Sequence, residues 1–188
     1  MTDEKSTLWA KKQLEKLEEE NASQPFFMAI GLHRPHTPLV VPQKYFDLFP
    51  LESIQVPVIK EDDIEDTFLE KNNLKNDGMS RGRKAYDGLI KGFTTKELAL
   101  KKYIQAYLAS VAFADDRVGE LIEFLEKSLF AENTIVILLS DHGYHLGEKK
   151  YLWKYNLWEE TTRVPLIIKA PKYSANAGKK VNHPVSLL

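Results

Sequence analysis

The sequence predicts an α/β fold with a mostly parallel sheet flanked by helices, and two observations carry that prediction. Three uninterrupted apolar runs, at residues 24–32, 135–140 and 164–170, are typical of strands that are buried on both faces. Apolar residues recur at three- and four-residue steps between 95 and 130, which indicates a long amphipathic helix between the first two runs. Because a strand, a helix and a second strand form a crossover by default, we expect mostly parallel pairing.

Shorter elements are expected around this frame. The spacing of apolar residues predicts a helix over 6–20, a short helix near 43–49 and a helical stretch near 156–162. Residues 60–90 are charged and rich in turn-forming residues. They are interpreted as an exposed excursion, because they lack the low-complexity composition of a domain linker.

Composition and charge are those of an ordinary globular chain, long enough for one domain or a large part of one. The 188 residues include 26 lysines and arginines against 27 aspartates and glutamates. This near-neutral balance argues against binding to nucleic acid or to an anionic membrane. No apolar run approaches the roughly 20 residues that cross a bilayer. The absence of cysteine excludes disulfides, thiolate metal ligands and a cysteine nucleophile from this chain.

Chemically active side chains follow the ends of two predicted strands. Asp141 and His142 come directly after the second apolar run, where open α/β sheets place their ligands. His36 lies in the loop after the first run, and Lys154 stands between two aromatic residues, where it could contact an anion. Taken singly, such residues are more often strand ends, satisfied loop residues or parts of a solvated face. Together they indicate a pocket for an oxyanion beside a cation.

Several linked motifs carry a family resemblance. They are PFFMAIGLHRPHTP at 25–38, YLASV and DDRVG within 107–119, and SDHGYHLGEK followed by LWEETTRVPLII within 140–168. In this order they resemble the type I sulfatases, closest to the iduronate-2-sulfatase branch, with weaker correspondence from 60 to 95. The resemblance implies that residues 1–188 are the central portion of a single catalytic domain with an alkaline-phosphatase-like fold.

The resemblance also implies a reaction and a set of site residues. It implies hydrolysis of a sulfate ester, of a small molecule or of a glycan, with a sulfated sugar as the expected substrate. In the family a divalent cation, commonly calcium, is held partly by an Asp–His pair, which Asp141 and His142 match. His36 matches the histidine that contacts the sulfate or the leaving group, and Lys154 matches the lysine that grips the sulfate. These two are therefore the expected catalytic and substrate-binding residues, since such groups stabilise the sulfuryl oxygens and protonate the leaving oxygen.

The match to the family is incomplete. Its nucleophile is formylglycine, made from the Cys or Ser of a Cys/Ser-x-Pro/Ala-x-Arg motif that this sequence lacks, and the acidic pair that completes the cation site is also missing. We therefore expect a fragment that is inactive alone and that associates with itself or with missing segments of the domain. The alternatives are a phosphate mono- or diester hydrolase of the same superfamily, or a non-catalytic truncated remnant. The sequence fixes no compartment, although the resemblance suggests a periplasmic or secreted one.

Overall fold

The computed structural model of the chain describes residues 1–20, 24–65, 67 and 80–186. Within these ranges the helices are α1 (Thr2–Glu19), α2 (Gln43–Phe46), α3 (Ser80–Lys91), α4 (Lys96–Glu126) and α5 (Glu159–Thr162). The strands are β1 (Val136–Leu139), β2 (His145–Leu146), β3 (Leu152–Trp153) and β4 (Leu166–Lys169). None of the described helices combines the length and apolarity that a membrane crossing requires.

Helix α4 is the element around which the core is built. It begins after Thr95, whose hydroxyl oxygen accepts a hydrogen bond from the backbone N–H of Leu98 at 3.1 Å and so caps the helix. Its apolar positions contribute to two buried clusters, which contain Ile54, Tyr86, Leu100, Ile104 and Leu152, and Val41, Tyr45, Ala109 and Phe113. The helix predicted over residues 95–130 is therefore confirmed, although it ends a few residues earlier.

Helix α1 packs against α4. Its buried positions are Asp3, Thr7, Ala10 and Leu14, which follow one another at steps of four and three residues along one face. The helix predicted over residues 6–20 is confirmed, and it starts four residues earlier. The first turn carries two acidic side chains, a placement that the helix dipole favours.

Helix α3 corrects the interpretation of residues 60–90 as an exposed excursion. It places Tyr86, which is only 5% exposed, in the core. It also lies directly on β3, because a Cβ atom at Gly82 would overlap the Leu152 carbonyl oxygen and the Tyr151 ring. Residues 66 and 68–79 of the interpreted excursion lie outside the described residues.

The strands form two antiparallel pairs. β1 pairs with β4, with Val136 opposite Lys169 and Leu139 opposite Leu166, and β2 pairs with β3. The mixture of helix and strand is as predicted, but the described ranges contain no parallel pair, so the mostly parallel sheet is not found there. The physical reason is that the segment between β1 and β4 holds two short strands, a three-residue 3-10 helix and one four-residue helix, and no helix long enough to cross the sheet. The chain thus turns back on itself and does not cross over the sheet.

The apolar runs are more exposed than the sequence predicts. Residues 24–32 form no strand, and Phe27 is 94% exposed. Ile137 of β1 and Ile167 of β4 are 56% and 58% exposed. The prediction that these runs are buried on both faces is therefore wrong for this chain, because no described segment covers them.

Candidate functional site

Three of the four predicted site residues meet in one cluster. Lys154 Nζ lies 2.6 Å from His142 Nε2, and Asp141 Oδ2 lies 3.6 Å from the same nitrogen. An ammonium group can only donate, so His142 Nε2 accepts this hydrogen bond, and His142 Nδ1 donates to the Gly143 carbonyl oxygen at 2.7 Å. The cluster is a lysine–histidine pair beside a carboxylate that is 84% exposed.

The loop that carries His142 is fastened to α5. The backbone N–H of Gly143 donates to the Thr161 carbonyl oxygen at 2.6 Å, and that of Tyr144 donates to the Glu160 carbonyl oxygen at 2.7 Å. A Cβ atom at Gly143 would overlap the Glu160 carbonyl oxygen. Glycine is therefore required beside His142, because the two backbones approach each other too closely for a side chain.

Asn156 organises the loop that carries Lys154. Its Oδ1 accepts hydrogen bonds from His145 Nε2 at 3.2 Å, from the Trp158 backbone N–H at 3.0 Å and from Thr161 Oγ1 at 2.9 Å. Its own backbone N–H donates to the Lys154 carbonyl oxygen at 2.5 Å. Asn156 thus joins the Lys154 loop to both β2 and α5. Sequence reasoning missed this residue.

His145 lies beneath this loop and is fully buried. Its ring makes edge contacts with Tyr151 and Trp158, at centroid distances of 5.5 and 5.3 Å. Its Nδ1 has no hydrogen-bond partner among the described residues. Burial lowers the pKa of His145, although the Asn156 hydrogen bond opposes the shift, so the imidazole is neutral at pH 7.

Three tyrosines pack the His142 loop against α4. The ring of Tyr144 stacks on that of Tyr107 at 4.9 Å, and its hydroxyl lies 2.7 Å from the hydroxyl of Tyr103. Burial raises the pKa of all three hydroxyls, most strongly that of Tyr144, so they remain neutral. These contacts fix the loop relative to the long helix.

His36, the fourth predicted residue, makes no hydrogen bond, ion pair or ring contact with this cluster among the described residues, and its partners are local. His36 Nδ1 is 2.6 Å from the Thr37 carbonyl oxygen and donates to it, and the His36 ring lies 4.9 Å from that of His33. Arg34 NH1 donates to the His36 carbonyl oxygen at 3.3 Å. No hydrogen bond or ion pair between described residues joins His36 to Lys154. Direct contacts therefore join three of the four predicted site residues, and His36 is held by its own loop.

The donors of the cluster fit only part of a cation site. Among the described residues, no group of three or more His, Asp or Glu side chains could hold a metal ion. Ca²⁺ takes about six to eight oxygen ligands. Asp141 offers an exposed carboxylate, whereas His142 Nε2 is engaged by Lys154. These two side chains could contribute ligands but could not form a site by themselves.

Comparison with known proteins identifies the family. The model of the sulfatase family matches residues 2–188, so the chain belongs to the sulfatase family. It is 42% identical, over its whole length, to a sulfatase of Formosa agariphila, of which it covers 34%. It is 32% identical, over 96% of its length, to the iduronate 2-sulfatase of Mus musculus, of which it covers 33%. The chain thus spans about a third of the length of the curated relatives it matches.

A solved structure supports the fold. The phosphonate monoester hydrolase of Agrobacterium radiobacter superposes with a TM-score of 0.64, at 20% identity, over 94% of this chain and 35% of that one. At this identity the likeness concerns the fold alone. The sulfatase resemblance seen in the sequence is thus confirmed at the level of the family, and the fold is one that sulfatases share with phosphonate hydrolases.

Proposed function

We propose that this chain is part of a sulfuric ester hydrolase and supplies part of its sulfate- and cation-binding site. Membership of the sulfatase family supports the class of reaction. The observation that carries the site is the 2.6 Å contact between Lys154 Nζ and His142 Nε2, with the Asp141 carboxylate beside it. Lys154 and the Asp141–His142 pair, which lie twelve residues apart in the sequence, thus form one cluster with a cation and a carboxylate.

In this proposal Lys154 binds the sulfate group. Its ammonium group has three N–H donors, and one of them is held by His142. The other two can donate to sulfate oxygens, whose negative charge grows as the ester bond breaks. A preorganised cation at this position stabilises the transition state more than the ground state.

Asp141 and His142 would contribute ligands to a divalent cation such as Ca²⁺, whose other ligands would come from outside the described residues. Such an ion, when bound, polarises a sulfuryl oxygen. The His142 Nε2 lone pair can serve either a cation or Lys154, so ligation would free the third Lys154 N–H for the substrate. The two roles of the cluster are therefore coupled through one nitrogen.

His36 would protonate the leaving oxygen. Its Nδ1 proton is engaged with the Thr37 carbonyl oxygen, so Nε2 is the nitrogen that can carry and deliver a proton. The nucleophile has no counterpart among the 188 residues, since the Cys/Ser-x-Pro/Ala-x-Arg motif is absent from them. Turnover thus requires a nucleophile from outside this sequence, and the isolated chain should be inactive.

A sulfated sugar is the proposed substrate class. One relative, 32% identical over nearly the whole chain, is an iduronate 2-sulfatase, a name that specifies the sulfate ester of a sugar acid. Free sugars and glycans present the same sulfate ester, so the proposal covers both.

The test compares ester hydrolysis by the protein as its gene encodes it. Lys154→Ala and Asp141→Ala should each lower kcat/KM for 4-nitrophenyl sulfate about 100- to 1,000-fold, because each removes a preorganised charge. Lys150→Ala is the matched control. It removes a lysine from the same region, but this lysine pairs with Glu61 at 3.9 Å and not with the His142 cluster. Circular dichroism should show the same fold in all three variants.

The outcomes separate the alternatives. Unchanged turnover in either site variant contradicts the role assigned to that residue. Faster hydrolysis of 4-nitrophenyl phosphate than of the sulfate would favour a phosphate ester hydrolase. Hydrolysis of neither ester would favour a non-catalytic remnant.

A further inference from the structure

A buried carboxylate at the start of α1 holds the loop that carries His36. Asp3 Oδ1 accepts a hydrogen bond from the backbone N–H of His33 at 3.0 Å, and Asp3 Oδ2 accepts one from that of Arg34 at 2.9 Å. We propose that Asp3 is a positioning residue, which acts through this loop to place His36 for proton transfer to the leaving oxygen. The inference rests on the function proposed above.

The first step is the cost of the arrangement. Asp3 is only 2% exposed, and a buried carboxylate is tolerated only when its oxygens are well bonded. Hydrogen bonds to an ionised oxygen are about twice as strong as neutral ones, and here each carboxylate oxygen receives one. The buried carboxylate therefore holds the backbone N–H groups of His33 and Arg34 in place.

The second step is the rigidity of the support. Asp3 lies in the first turn of α1, and its carbonyl oxygen accepts a hydrogen bond from Thr7 Oγ1 at 3.0 Å. Thr7 is itself 2% exposed, and α1 packs on α4. The carboxylate is therefore fixed to the helical core, about 30 residues away in sequence from the loop that it holds.

The third step connects the held residues to His36. The backbone N–H of His36 donates to the His33 carbonyl oxygen at 2.9 Å and closes a tight turn. The Arg34 side chain spans that turn, donating to the carbonyl oxygens of His36 at 3.3 Å and Val40 at 3.2 Å. Asp3 thus grips the start of the turn, and the turn sets the position of the His36 ring.

The kinetic test uses esters that differ in leaving group. His36→Ala and Asp3→Asn should both lower kcat/KM at least tenfold more for an alkyl sulfate, whose leaving oxygen needs a proton, than for 4-nitrophenyl sulfate. Asp3→Asn should cost nothing further in a His36→Ala background, because both changes remove the same proton transfer. Glu4→Gln is the matched control, since it removes a charge from the same helical turn and Glu4 is exposed.

A purely structural role predicts something else. If Asp3→Asn only lowers the folded fraction, both esters lose the same factor and the double variant shows additive losses, and the inference is overturned. If Asp3→Asn does not fold, Asp3→Glu keeps the charge but displaces the carboxylate by one methylene. Asp3→Glu should then lower kcat/KM more for the alkyl sulfate than for 4-nitrophenyl sulfate. Equal losses on both esters overturn the inference.

A second measurement does not depend on activity. In protein labelled with ¹⁵N-histidine and ¹⁵N-arginine, the amide protons of His33 and Arg34 should move upfield on Asp3→Asn and stay in place on Glu4→Gln. Unmoved amide protons would overturn the inference. If wild-type protein hydrolyses no sulfate ester, the proposed function fails, while the amide shifts still decide whether Asp3 holds the loop.

Discussion

Replacing Gly82 by alanine should destabilise the protein, although the same change stabilises most helices. At an exposed helix interior, Gly→Ala stabilises by about 0.5–1 kcal/mol. At Gly82 the added methyl group would overlap the Leu152 carbonyl oxygen and the Tyr151 ring. Overpacking of this kind costs about 1–3 kcal/mol. The net expectation is a loss of up to about 2.5 kcal/mol in the free energy of unfolding.

The matched control, Gly88, lies six residues further along the same helix. A Cβ atom at Gly88 meets no other atom within 4 Å, so Gly88→Ala should show the ordinary stabilisation of about 0.5–1 kcal/mol. The two variants have the same composition and differ only in what the methyl group meets. The difference between them therefore measures the contact between α3 and β3.

The assay is urea unfolding followed by circular dichroism and by the fluorescence of the three tryptophans, one of which is Trp153 of β3. The midpoint should fall for Gly82→Ala and rise for Gly88→Ala with unchanged slopes. Because Lys154 follows β3 directly, Gly82→Ala should also raise KM for a sulfate ester in the active protein. Equal stabilisation by both variants would refute the close packing of α3 on β3.

Two further predictions concern pH and association. Burial lowers the pKa of His145 below its ordinary value of 6.5, so the unfolded chain binds a proton that the folded chain rejects. The free energy of unfolding should therefore fall from pH 7 to pH 5, and it should fall less in His145→Gln; equal slopes in urea titrations would contradict this. Ile137→Lys and Ile167→Lys should reduce self-association in sedimentation velocity, because both side chains are exposed on the β1–β4 pair. The control is Leu48→Lys, which should not reduce it, because Leu48 is 62% exposed but lies near α2. Association that persists in both strand variants would assign it to another surface.

The elements that could be predicted from the sequence are those whose signal is local. Helix α4 is long, periodic and capped by Thr95, and each of these features is visible in the chain itself. Helix α3 was missed because Gly82 and Gly88 weaken its helical signal, and its formation depends on packing against β3. The antiparallel pairing of β4 with β1 was not predicted, because it depends on where the chain turns back and not on the composition of the strand.

The same distinction applies to the site. Asp141, His142 and Lys154 could be selected because they stand in a recognisable motif, and the structure brings them together. Asp3 could not be selected, because its partners, the backbone N–H groups of His33 and Arg34, belong to another segment. Asn156 could not be selected, because three donors converge on its side-chain oxygen only once the loop is folded. An aspartate in the first turn of a helix is expected for its dipole alone, and nothing local indicates that it binds a loop about 30 residues further on.

Both parts of the candidate site are held in place by helix α4, one directly and the other through α1. Tyr144, two residues after His142, stacks on Tyr107 of α4, while Asp3 holds the His36 loop from α1, which packs on α4. Helix α4 has 31 residues and is about 46 Å long, so loops that are held at different points along it keep a fixed position relative to each other. The exposed side chains of Ile137 and Ile167 on the β1–β4 pair take no part in these contacts. Charged substitutions that improve the solubility of the pair should therefore leave the site geometry unchanged, and they provide the background in which the site variants are best measured.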